Sequence, residues 1–194
     1  MEVRETDENI LVELDSICTE FSDRFNQNFI EQLKSNTVRI LTLKNIENDT
    51  GFNNGEYFAD TLVLRYEPTE QESIIGVPFI NATGVFIRTL LELMNYRTRY
   101  SYVCFDSIKE EIEVLIPKKI FVDGPETLKK LSDLFDLGLP ENAQYGTIFN
   151  VDMCSTKIQI MYLGDTEELL KLDGDSFKEE ANKYWQYFKK GVEA

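Results

Sequence analysis

The sequence predicts an α+β fold: an antiparallel or mixed sheet of five to seven strands, packed by a long N-terminal helix, two middle helices and C-terminal amphipathic helices. Three observations lead there. Apolar residues recur at three- and four-residue spacing at both ends of the chain and twice in its middle. Short runs rich in β-branched and aromatic residues lie between those stretches and alternate with period two. Gly, Pro, Asn and Asp gather at the joins, where turns need them.

The N-terminal stripe consists of Leu11, Leu14, Cys18, Phe21 and Phe25, widened by Ile10 and Ile17 and continued by Phe29 and Leu33. Residues 7–35 contain no Gly or Pro, so the spacing predicts one helix of about 28 residues, ~42 Å long. A compact domain of this length has a radius of gyration near ~16 Å, so residues 1–36 either cross the molecule or form an interaction arm. The remainder is read with it as a single domain over 1–194. Val38–Leu43 then reads as a strand, and Phe58, Leu62, Leu64 and Tyr66 as a second with Asp60 as a lapse. Residues 47–55 form a turn-rich connector, and 67–73 a polar loop ahead of the apolar segment 74–80.

Residues 83–96 return to helical spacing through Phe86, Leu90, Leu93 and Met94. Residues 97–105 and 111–116 read as paired strands, and the alternation of Ile112, Val114 and Ile116 with Glu111, Glu113 and Leu115 favours a half-exposed sheet over a doubly wound parallel one. Pro117 ends that strand and leaves 118–122 on an edge or after a bulge. Asp123-Gly124-Pro125 opens a helix with Leu128, Leu131, Leu134 and Phe135 on its apolar face, closed by Gly138 and Pro140. Strands at 147–153 and 157–163 flank a short turn. Asp165 with Glu168, and Ser176 with Glu179, have capping-box spacing ahead of two final helices, the second carrying Phe177, Ala181, Tyr184, Trp185 and Phe188 on one face.

Composition excludes more than it nominates. The chain has no histidine, which removes the usual general base near neutral pH, the usual zinc ligand and the middle member of Ser-His-Asp and Cys-His systems. No GxxxxGK[ST] or GxGxxG occurs, and Cys18, Cys104 and Cys154 have no metal-binding spacing and read as buried free thiols. No cofactor and no metal is expected. Asp173-Gly174-Asp175-Ser176 lacks the later ligands of a calcium loop and is read as helix capping. Asp and Glu outnumber Lys and Arg 35 to 20, for a net charge of −15, so direct nucleic-acid binding is not expected and basic partners are. No apolar run is long enough for a membrane span and no leader is evident, which suggests a reducing, cytoplasmic setting in a cell or an infected host.

These observations favour a non-catalytic, protein-binding or structural subunit of a viral or cellular assembly, its partners being other protein subunits, including further copies of itself. The interface candidates are Phe21, Phe25, Phe29, Tyr184, Trp185 and Phe188, since aromatic residues dominate binding hot spots. The alternative is an acidic inhibitor, a nucleic-acid mimic or immunity protein that blocks a basic enzyme or toxin, with Glu110, Glu111, Glu113, Asp173 and Asp175 as acidic-surface candidates. A carboxylate-metal enzyme is the third possibility, drawing on these clusters or on Glu67, Glu70 and Glu72.

Overall fold

A computed structural model describes residues 5–20 and 27–193. Among the described residues are eight helices and one mixed five-stranded sheet, the α+β class predicted. The chain divides into two compact units, 1–49 and 50–194.

The first unit holds α1 (Glu5–Glu20) and most of α2 (Gln27–Thr50). Asn45 donates to Asp7 at 2.6 Å and Lys34 pairs with Asp15, so later residues of α2 meet earlier residues of α1 and the helices run antiparallel. The uninterrupted helix expected over 7–35 passes through 21–26, which lie outside the described residues. The strand predicted at 38–43 is helical: Thr42, Leu43 and Ile46 are the buried positions, and their spacing is that of a helix face. A β-branched run lowers helix propensity by only tenths of a kcal/mol per residue, which burial of such a face overrides.

The second unit is built on β1 (Thr61–Arg65), β2 (Thr98–Tyr102), β3 (Lys119–Asp123), β4 (Ile148–Met153) and β5 (Thr156–Gly164), in the order β2-β1-β3-β5-β4. β2, β1, β3 and β5 are mutually parallel, and β4 joins β5 as an antiparallel edge. Every residue of β1 and β2 is buried, so the sheet is covered on both faces and the half-exposed expectation is corrected. Val63, Tyr100, Phe121 and Met161 lie in register on one face, against Ile87, Leu90 and Leu91 of α4 (Ala82–Leu93) and Tyr184 and Phe188 of α8 (Gly174–Glu193). The other face carries Leu62, Arg99, Ile120 and Ile160 and is covered by α5 (Ile108–Leu115) and α6 (Pro125–Phe135), where right-handed crossovers place them.

Residues 111–116, predicted as a strand, belong to α5. Ile108, Glu111, Ile112 and Leu115 are its buried side chains, spaced i, i+3, i+4 and i+7, and the apparent alternation reflected only that Val114 is half-buried and Ile116 exposed. Glu111 is accommodated because Arg99 meets it at 2.6 Å, Ser101 donates at 2.5 Å and Asn54 at 3.2 Å. The segment after Pro117, expected on an edge or after a bulge, is the central strand β3. The polar loop at 67–73 contains α3 (Glu70–Ile75), whose capping box joins Thr69 to Glu72. α7 (Thr166–Leu170) is capped by Asp165 as predicted, whereas α8 begins at Gly174, ahead of Ser176. The outer edge of β2 is covered by residues 54–56, with Tyr100 donating to the Asn54 carbonyl at 2.8 Å.

Candidate functional site

Two apolar runs of the sequence end on a charge, Thr61-Leu-Val-Leu-Arg65 and Lys119-Ile-Phe-Val-Asp123. Because β1 and β3 are parallel neighbours, Arg65 and Asp123 emerge together at the carboxyl end of the sheet. The connection leaving β1 leads to β2 on one side and that leaving β3 leads toward β5 on the other, so the crevice between them is the topological switch point at which sheets of this kind bind ligands.

The crevice floor is a closed ionic network. Arg65 Nε and Nη2 each lie 3.0 Å from Asp123 Oδ2, while Nη2 also donates to Thr83 Oγ1 at 2.9 Å and Nη1 to Asn81 Oδ1 at 3.3 Å. Glu72 lies 3.6 Å from Nη1. Thr166 donates to the Asp123 carboxylate from its amide at 3.1 Å and from its hydroxyl at 2.8 Å. Burial pushes the Asp123 carboxyl up, opposed by the Arg65 charge and the Thr166 bonds. Burial also works to raise Glu72, but the Thr69 amide, Arg65 and the Thr69 hydroxyl together bring it below its ordinary value.

The same network anchors the chain between α3 and α4. Glu72 Oε1 accepts from the Ile80 amide at 3.0 Å, Tyr102 Oη from the Phe79 amide at 3.2 Å, and Arg88 donates to the carbonyls of Pro78 at 2.5 Å and Phe79 at 3.2 Å. Phe79 is fully buried with φ 58°, a region costly for a bulky residue, and the Arg65 guanidinium covers its ring at 4.5 Å.

Above the floor opens a cleft of about 440 Å³, bounded by the loop after β1 (66–69), the loop after β3 with the start of α6 (124–127), and the start of α7 (165–167). Its exposed charged side chains are Glu67, Glu126, Asp165 and Glu167, with Asp123 buried beneath. Among the described residues the cation that lines it is Arg65, whose three guanidinium nitrogens are all engaged. A helix N-terminus normally favours anions, yet at α6 Pro125 lacks an N–H and Glu126 brings a carboxylate. A phosphate entering here meets four exposed carboxylates and an arginine already held by Asp123 and Glu72. A cationic group meets its complement.

The residues nominated from sequence are dispersed. Phe21 and Phe25 lie outside the described residues, and Phe29 is exposed on α2. Phe188 is fully buried and stacked on Phe121 at 4.8 Å, Tyr184 is 5% exposed, and Trp185 is partly buried against the same core, so the aromatic face of α8 is core and not free surface. Of the acidic-surface candidates, Glu110, Glu113, Asp173 and Asp175 are exposed, but Glu111 is buried and salt-bridged. Cys18 is buried as expected, whereas Cys104 is exposed and Cys154 half-buried; all three are free thiols. Among the described residues no group of three or more Cys, Asp or Glu is placed to hold a metal ion, and no helix is long and apolar enough to cross a membrane. Sequence reasoning missed Arg65, Asp123, Thr83 and Thr166 as partners, because positions 58 and 43 residues apart carry no common motif. The available signal was a charge at the carboxyl end of each apolar run.

No protein-family model matches this chain, and no curated protein matches it.

Proposed function

We propose that this chain is a non-catalytic protein-binding subunit that receives a basic segment of its partner in the cleft at the carboxyl ends of β1, β3 and β5. The observation that carries this reading is that the cleft presents Glu67, Glu126, Asp165 and Glu167 while the Arg65 guanidinium is fully engaged by the protein itself. Position supports it as well, since the switch point is where an open sheet leaves room for a ligand. The acidic-inhibitor reading requires the same complementarity and differs in what the basic partner does. For the carboxylate-metal enzyme the described residues offer no three-carboxylate arrangement.

Titration of the ¹⁵N-labelled chain with hexalysine tests the cleft. The largest shifts are expected at the amides of Glu67, Thr69, Gly124 and Thr127, with affinity falling steeply as salt is raised. The pair Glu126→Lys with Glu167→Lys should weaken binding about tenfold or more, and Glu110→Lys with Glu113→Lys, identical in net charge, less than about threefold. Equal losses from both pairs, or shifts spread evenly over the surface, would show charge without a site and overturn the reading.

A further inference from the structure

Asp165 caps α7 with its side chain on the Glu167 amide, and it also forms a wall of a second cavity of about 380 Å³ on the side away from α6. The interior of this recess is apolar. Tyr145 and Tyr184 stack at 5.7 Å, Leu169 and Leu172 face them, and Leu172 is 39% exposed. Both tyrosine hydroxyls are committed, that of Tyr184 donating to the Leu163 carbonyl at 2.7 Å and that of Tyr145 to Glu180 Oε2 at 2.9 Å. Burial and the Glu180 carboxylate push Tyr145 up to about 12, so its hydroxyl keeps that proton. Gly164 is required at the back wall, because a Cβ there would stand 2.9 Å from Tyr145 Cβ at a φ of +74°.

The lip is different. Glu168 and Glu180 stand there with Asp165; Glu168 pairs with Lys171 at 2.5 Å, and Glu180 pairs with Lys183 at 2.6 Å besides accepting from Tyr145. Such solvent-exposed pairs contribute ~0–1 kcal/mol, so exchanging them for an incoming cation costs little. An apolar interior with an acidic lip fits a side chain with an aliphatic stem and a charged head, and aromatic ring faces add to its attraction for the head. An uncharged apolar side chain would gain nothing from a lip of three carboxylates met by Lys171 and Lys183, and an anion would be disfavoured there.

We infer that the recess is a second subsite, taking a lysine or arginine side chain of the same basic segment that enters the cleft. The inference rests on the cleft reading, and Asp165, common to both cavities, places two cation positions side by side. The occupant is therefore a segment with two basic residues close together in sequence.

The test compares hexalysine with the hexamer of 2,4-diaminobutyrate at pH 6, equal in charge but two methylenes shorter per side chain. Hexalysine should bind about tenfold tighter and shift the amides of Gly164, Leu169 and Leu172, while the shorter peptide shifts only those of the cleft. Leu172→Asn, a change at a partly exposed position, should erase the difference while leaving the cleft shifts intact. Equal affinities with shifts confined to the cleft would overturn the subsite and leave the cleft reading standing. Shifts at the recess alone, or at neither place, would overturn the cleft reading and this inference with it.

Discussion

Arg65 is the residue on which the site closes, and its substitution should show how much. Arg65→Met leaves Asp123 and Glu72, 4% and fully buried, without their cation and is expected to cost about 3–5 kcal/mol by urea denaturation. Adding Asp123→Asn should recover part of that, since a neutral amide oxygen still accepts from Thr166 and no longer needs a counter-charge. A single variant within about 1 kcal/mol of the parent would mean that water replaces the guanidinium. Glu72 gives a second measurement. Its carboxyl lies below its ordinary value of 4.5 in the folded protein, so folding favours the ionised form; the stability this supplies is present above pH 4.5 and is lost as pH falls through the folded value. Urea midpoints at pH 6 and pH 3 should therefore differ less for Glu72→Gln than for the parent, and an unchanged difference would assign the acid sensitivity to other carboxylates.

The helix α4 reverses a familiar rule at the scale of the element. Gly84 lies in its first turn, where alanine ordinarily stabilises by ~1 kcal/mol, but a Cβ here would stand 2.4 Å from the Phe79 carbonyl. Gly84→Ala is expected to destabilise by about 2–4 kcal/mol in thermal or urea unfolding, because the segment it would displace is fixed by bonds from Glu72, Tyr102 and Arg88. A stabilised Gly84→Ala would show that 76–80 yields. Elements with local punctuation were legible in the sequence: α6 behind Gly124-Pro125, although its stop is the left-handed Asp136 and not Gly138, β4 and β5 around Cys154-Ser155, and α7 behind Asp165. The burial of other elements was not. β2 alternates as Thr-Arg-Tyr-Ser-Tyr, which resembles a strand with one wet face, yet Arg99 and Ser101 face Glu111 and are as dry as the tyrosines opposite. The T-x-x-E box that starts α3 was present in the sequence and was obscured by the polar residues around it.

For the molecule as a whole, a charge of −15 is legible from composition, but its arrangement is not, because the cleft draws carboxylates from three connections far apart in the chain. That charge repels itself in the compact state. Raising NaCl from 50 to 500 mM should increase the unfolding midpoint by about 2–4 °C, and a fall would mean that the ion pairs outweigh the repulsion. Chain order adds a constraint of another kind. The sheet face bearing Phe121 is finished by Phe188 of α8, which follows β5 in the chain, and β5 enters the sheet only after β4 has been made. A growing chain therefore holds that apolar face only partly covered, by α4, until α8 emerges. Truncation that removes Phe188 therefore yields a sticky intermediate for chaperones and proteases, not a shortened working protein.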